Sequence, residues 1–236
     1  MSKSVRYDFY YLGTKFSNMS FMRYRYFNIF FLFIIIFNLL AIDYIPDYRI
    51  VAKPLIMATL LGLYISKVRK QNNTFITAMI FALLGDAFLL FISDDFFIIG
   101  LGCFLIMQLL YTLVFYADRT DTVKILYRNS IIMLLVSGAI IFNLWPGLGP
   151  MKLPVLFYTA AISLMVITAF SRKNTITDRN VVIAGVLLFV ISDSLLAAGK
   201  FISPFAYQHY LVMLTYMLAQ YLIVTGIISS HEPEIS

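Results

Sequence analysis

Apolar runs of membrane-spanning length follow one another almost without pause, at about 27–43, 50–66, 74–93, 96–117, 128–145, 153–170, 181–199 and 207–229. The hydrocarbon core of a bilayer, ~30 Å thick, calls for a helix of about 20 apolar residues. Within lipid every backbone N–H and C=O needs an internal partner, which leaves helices and closed barrels as the spanning forms. Continuous runs of this length predict helices, so the expected fold class is an all-α integral membrane bundle of about eight transmembrane helices. The runs alone allow seven or eight, because the fifth begins indistinctly around Lys124 and Arg128. Composition agrees: 61% of residues are hydrophobic and 13% charged, where a soluble domain carries roughly 25% charged residues. In 236 residues the spans leave no room for a separate soluble domain. Residues 1–26 are expected to form a basic and aromatic cytoplasmic segment, 27–230 a single transmembrane domain and 231–236 a cytoplasmic tail.

Charge placement predicts the orientation. Lys3, Arg6, Lys15, Arg23 and Arg25 precede the first run. Lys67, Arg69 and Lys70, then Arg119, Lys124 and Arg128, then Arg172, Lys173 and Arg179 fall in every second connection. If eight helices alternate, these fourteen of the 18 basic residues share one side. Cytoplasmic loops carry the excess of Lys and Arg, so both termini are expected in the cytoplasm. Tyr44, Tyr48, Trp145 and Tyr207 mark the opposite interface as aromatic belts do. The net charge of +6 is thus a topology signal and not a nucleic-acid-binding surface. The single cysteine, Cys103, allows no intramolecular disulfide. Residues 1–26 lack a continuous apolar core ahead of Arg23, so no cleavable signal peptide is expected, and the compact loops point to a bacterial inner membrane.

Against this background three ionisable residues stand out: Lys53, Asp86 and Asp193. A charge at the bilayer centre costs on the order of 2.5–3.5 kcal/mol on insertion scales, so such groups usually face a protein-lined cavity and pair with one another. Asp86 and Asp193 each lie about twelve residues into a run, on helices expected to point the same way, and so at a common depth. Lys53 lies near that depth, where it either pairs with a carboxylate or snorkels to the interface. Helical spacing sets small and polar residues around each aspartate: Ala78, Ala82 and Gly85 with Asp86, and Gly185, Ser192 and Ala197 with Asp193. Gln108 and Tyr111 share a face of the fourth run, as do His209, Met213, Tyr216 and Gln220 on the eighth. The glutamines are candidates either for chemistry or for interhelical hydrogen bonding. His209 is placed at the interface.

No glycine-rich phosphate loop, nucleophile elbow or Cys/His metal spacing occurs. Neither a metal nor another cofactor is expected, and the partners are lipids of the surrounding membrane.

At these same residues the chain resembles the YhhN-like lysoplasmalogenase family of eight-helix membrane proteins. The resemblance is carried by "KPL" at Lys53, "LLGDAFLL" at Asp86, "GLGCFLIMQLLYTLVF" through Gln108 and Tyr111, "FYTAAISLMV", "FVISDSLLA" at Asp193 and "YMLAQYLI" through Tyr216 and Gln220. It covers most of residues 50–225. Members often carry His where this chain has Gln108, and an amide keeps hydrogen bonding but not proton transfer. The resemblance implies hydrolysis of the vinyl ether bond of lysoplasmalogens to a fatty aldehyde and a glycerophospho-base, with Asp86 and Asp193 at the family's acidic positions. Lys53, Gln108, Tyr111, Ser192, Tyr216 and Gln220 are then supporting or substrate-binding residues.

Two carboxyl groups suit that reaction on chemical grounds. Vinyl ether cleavage begins with a proton on the β-carbon and passes through an oxocarbenium ion that water captures. It needs a protonated acid and a second carboxylate to stabilise the cation or activate water, and glycosidases meet a related oxocarbenium problem with two carboxyl groups. Burial favours a neutral carboxyl group, and two neighbouring ones titrate in split steps. The residues do not say which aspartate is the acid. Two other classes stay open: a proton-coupled transporter, whose sign would be broken helices in matched halves, and a non-catalytic lipid-binding relative.

Overall fold

A computed structural model of the protein describes residues 25–91, 93–119, 123–173 and 176–231. The expected N-terminal segment and tail therefore lie almost wholly outside the described residues. Eight helices follow in order: α1 (Arg25–Asp43), α2 (Arg49–Lys67), α3 (Asn73–Phe88), α4 (Asp94–Ala117), α5 (Val123–Leu144), α6 (Lys152–Phe170), α7 (Ile176–Phe201) and α8 (Gln208–His231). Short 3-10 turns at Pro46–Tyr48, Trp145–Gly147 and Gly149–Met151 lead into α2 and α6. Among the described residues no named strand occurs.

Seven of the eight helices are long and apolar enough to cross a membrane. The protein is an all-α, multi-pass integral membrane protein. The exception is α3, whose 16 residues make about 24 Å at 1.5 Å per residue. Here the structure differs from the expected span of 74–93. The apolar run continues, but the chain leaves the helix after Phe88, and Ser93 opens α4 by accepting the Phe96 N–H at 3.2 Å. A hydroxyl cap overrides hydropathy at that point.

The helices alternate direction between two ends of the bundle. At one end Tyr210 donates to Asp43 at 2.7 Å and Lys200 pairs with Asp94 at 2.8 Å, joining the ends of α1 and α7 to the starts of α8 and α4. At the other end the buried Arg172 donates to Asp118 at 3.1 Å and to Ser230 at 3.3 Å. That end also gathers the Arg119–Arg172 backbone bridge, and Tyr221 donates to Asn28 at 2.7 Å near it, where α1 begins and α8 runs out.

Lipid exposure inverts the pattern of a soluble core. Phe142 is 80% exposed, Leu134 74% and Leu113 59%, so large apolar side chains coat the outside while polar ones turn inward. The hydroxyls of Thr112, Thr159, Ser194, Thr215 and Thr225 each donate to the carbonyl one turn back, as a medium without water demands. The most extensive packing joins α7 to α8. It depends on Gly185, where a Cβ would meet the Ala219 carbonyl oxygen and the Ile223 N at 2.8 Å, the small-residue route to close helix contact in membranes. Asn38 ties α1 to α2 by donating to the Ala52 carbonyl at 2.8 Å.

Candidate active site

Asp86 and Asp193 line one cavity of about 390 Å³. It lies between α2, α3 and α4 on one side and α7 and α8 on the other, and Tyr158 of α6 also contributes to its wall. The cavity runs from the buried Asp86 to the exposed Pro204 and His209, so it opens at the end of the bundle away from Arg25 and His231.

Asp86 sits in the middle of the membrane-embedded packing with no exposure. Its Oδ2 accepts the Tyr216 hydroxyl at 2.7 Å, and its Oδ1 faces the Lys53 ammonium at 3.9 Å. Lys53 lies just before Pro54 on α2, with its side chain 15% exposed. It does not point out to lipid headgroups; it pairs with the carboxylate. Gly85 makes room beside Asp86 for the Phe104 ring, which a Cβ would meet at 2.8 Å. Phe104 stands edge-on to Tyr216 at 5.9 Å between ring centroids, and Phe189 lies 6.1 Å from both. An aromatic wall thus backs the hydroxyl that holds Asp86.

Asp193 is half-buried, and its Oδ2 accepts the Tyr158 hydroxyl at 2.5 Å. Ser192, one residue earlier, turns the other way and donates to the Val212 carbonyl at 3.0 Å, which locks α7 to α8 beside the carboxylate. Toward the mouth the cavity gains Arg49, Lys200 and His209.

Gln108, Tyr111 and Gln220 are fully buried but do not line the cavity. Tyr111 donates to Gln220 at 3.1 Å and Gln220 donates to the Met107 sulfur at 3.5 Å, a polar layer beneath the cavity floor. Gln108 lies close to the Tyr158 hydroxyl, yet neither end of its amide makes a hydrogen bond of good geometry. Of the residues singled out in the sequence, Lys53, Asp86, Ser192, Asp193 and Tyr216 meet at the cavity, and these three stand below it.

Two contributors were not anticipated as site residues, Tyr158 and Arg49. Arg49 reads as an ordinary loop cation. Tyr158 carries a signal in principle, since a phenol inside an apolar helix needs a partner for its hydroxyl. Among the described residues, no group of three or more His, Cys, Asp and Glu side chains comes together.

Fold and cavity together define a class: a polytopic α-helical membrane protein with two tyrosine-bound carboxyl groups facing a common hollow. The model of the YhhN family matches residues 48–227, and the chain belongs to that family. Two curated relatives are similar to it over 161 residues: lysoplasmalogenase TMEM86A of Bos taurus at 31% identity and lysoplasmalogenase TMEM86A of Homo sapiens at 32%. Each match covers 66% of this chain and 65% of the relative, a little under two thirds of the relatives' length. No solved structure matches.

Proposed function

We propose that the protein is a membrane-embedded hydrolase of the vinyl ether bond of lysoplasmalogens, with Asp86 and Asp193 dividing the acid and base roles. The observation that carries this reading is the shared cavity: two carboxyl groups, each held by a tyrosine, face a hollow that passes from the apolar interior to a mouth bearing Arg49, Lys53 and Lys200. Family membership and the relatives named lysoplasmalogenase support the same class of substrate.

The chemistry runs as follows. One aspartic acid gives its proton to the β-carbon of the vinyl ether, and the α-carbon becomes an oxocarbenium ion. The second carboxylate stabilises that cation and takes a proton from the attacking water. The resulting hemiacetal gives its hydroxyl proton back to the first aspartate while the second protonates the glycerol oxygen, and the carbon–oxygen bond to the glycerol breaks, releasing fatty aldehyde and glycerophospho-base with one water consumed and both aspartates restored. Tyr158 and Tyr216 hold one oxygen of each aspartate, leaving the other for the transferable proton or the developing charge. A cavity inside the bundle suits a lipid, because the hydrocarbon chain can stay in an apolar environment throughout. The charge pattern of the loops supports a mouth on the non-cytoplasmic side.

A transporter built on broken helices is not favoured, since each described helix continues unbroken between its ends. The test is direct. Purified protein in detergent is expected to release aldehyde from lysoplasmenylethanolamine or lysoplasmenylcholine, and Asp86→Asn and Asp193→Asn are each expected to lower that release by about a hundredfold or more. Aldehyde formation that survives both substitutions undiminished would reject the assignment.

A further inference from the structure

Beside the polar cavity lies a second, apolar hollow of about 70 Å³, walled by α4, α5, α6 and α7. The two share Phe97, Leu101, Tyr158, Asp193 and Leu196, so the Tyr158–Asp193 pair stands on the boundary between them. Packing explains why the hollow exists. The backbone of α5 runs close to α6 and lightly along α7 but stays away from that of α4, and the backbones of α4 and α7 also stand apart and meet through side chains, Phe97 with Phe201 and Phe104 with Phe189. Only 11% of the Ser130–Gly147 stretch is buried, against 33–61% for the other long helices. The α4–α5 flank, bridged by α6, is thus the loosest seam around the hollow.

The hydroxyls in this hollow are satisfied without a ligand. Ser137 bonds Ser163 at 2.7 Å, Thr159 donates to Val155 at 2.8 Å and Ser194 to Val190 at 2.7 Å. What remains facing inward is apolar, from Met133, Ile140, Ile162 and Ala197.

We propose that this hollow is the tail subsite of the ether-lipid site: it takes the first part of the hydrocarbon chain of a single-chain lipid, whose glycerophosphate lies between Arg49 and Lys200 at the mouth. The inference rests on the hydrolase reading above and deepens it. An amphiphile whose reactive bond joins head to tail needs a polar and an apolar hollow with the reacting group on their common edge. Asp193 is the carboxyl group on that edge; Asp86 lines the polar cavity alone. The far end of the chain leaves through the α4–α5 seam into the bilayer, so a small hollow suffices. A second acyl chain would have to lie between these two cations, which selects for lysolipids.

The experiment compares kcat/KM for lysoplasmenylethanolamines whose alkenyl chain is too short to enter the hollow past the vinyl ether with kcat/KM for those whose chain fills it. Each buried methylene contributes about a fourfold preference, so the long-to-short ratio is expected to fall at least about tenfold in Ala197→Trp and in Ile140→Trp. Leu113→Trp, on the lipid face of α4, is expected to leave the ratio unchanged. In parallel, wild-type protein in detergent is irradiated with a non-cleavable alkyl-ether lysolipid bearing a diazirine near the head of its chain, and adducts are mapped by mass spectrometry. Adducts on Met133 or Ile140 support the subsite. If the wild type releases aldehyde but both variants keep the wild-type ratio and adducts fall elsewhere, the subsite is overturned and the hydrolase stands. If no aldehyde is released at all, the hydrolase reading fails, and the adducts alone decide for or against the tail subsite.

Discussion

The two carboxyl groups are alike in chemistry and unlike in surroundings. Asp86 is fully buried, bonded to Tyr216 and faced by Lys53 at 3.9 Å. Asp193 is half-buried and bonded to Tyr158, and among the described residues no cation pairs with it. An intramembrane charge is tolerated when an opposite charge meets it, so the Asp86 side is built to hold a carboxylate. The Asp193 side has the same phenol contact but no cation, and an apolar edge on which a reacting carbon atom can lie. Within the proposed reaction we propose from this difference that Asp193 is the acid and Asp86 the charged partner of the oxocarbenium ion and of the attacking water.

The largest expected effects break or keep this asymmetry. General acid–base groups contribute roughly 10²–10⁴-fold. Asp193→Asn is expected to lower kcat by about a thousandfold and Asp86→Asn by about a hundredfold. Added formate or acetate, small proton carriers that fit the cavity, is expected to restore part of the activity of Asp193→Asn and none of that of Asp86→Asn. Equal losses with equal rescue would erase the distinction between the two.

Lys53 gives the next test. Lys53→Met is expected to cost about tenfold in the wild-type background, since one lost interaction of about 1.4 kcal/mol is a factor of ten. It is expected to cost almost nothing further in Asp86→Asn, because contacting partners are not additive, and to remain additive with Asp193→Asn. A cost that persists undiminished in Asp86→Asn would move Lys53 from carboxylate partner to headgroup ligand.

How much of this was legible beforehand differs between the helices and the site. The helix ends agree with the apolar runs to within about two residues, except that α5 and α7 begin earlier, at Val123 and Ile176, and that α3 stops at Phe88 inside a run that stays apolar. Hydropathy cannot see a turn whose residues are as apolar as the helix. The aspartates were legible because a charge in lipid is expensive enough to need a reason. Gln108, Tyr111 and Gln220 were placed on the inward faces of α4 and α8 and are buried there, yet below the cavity floor. Spacing along a helix defines a face, and a face continues past the depth at which a cavity ends. The apolar hollow was not legible at all. Hydropathy marks α5 as a span without saying how closely it packs on its neighbours, so its loose seating was not read from its residues.

The two tyrosines separate the sides at a finer grain. Tyr158→Phe and Tyr216→Phe each remove a single hydrogen bond to a carboxyl oxygen, worth about 1.5–3 kcal/mol when the acceptor is charged and less when it is neutral. With Asp86 as the charged partner, Tyr216→Phe is expected to lower activity by about tenfold and Tyr158→Phe by about threefold. Steady-state kinetics on the purified variants decides the order, and a reversed order would interchange the roles assigned to the two aspartates.

The smallest effect is expected at Gln108, and its sign is informative. Its amide is buried beside Tyr158 with neither end well bonded. Leaving a buried polar group unpaired costs about 1–3 kcal/mol, whereas replacing it by an apolar group of similar shape is nearly neutral or stabilising. Gln108→Leu is therefore expected to hold or raise the melting temperature by a few degrees and to change kcat less than about threefold. Should it instead lower kcat tenfold while leaving the melting temperature in place, the amide would be serving the reaction by holding water against Tyr158. The Asp193 side would then be wetter than its present contacts suggest, and the contrast with the lysine-bearing Asp86 side would rest on charge alone.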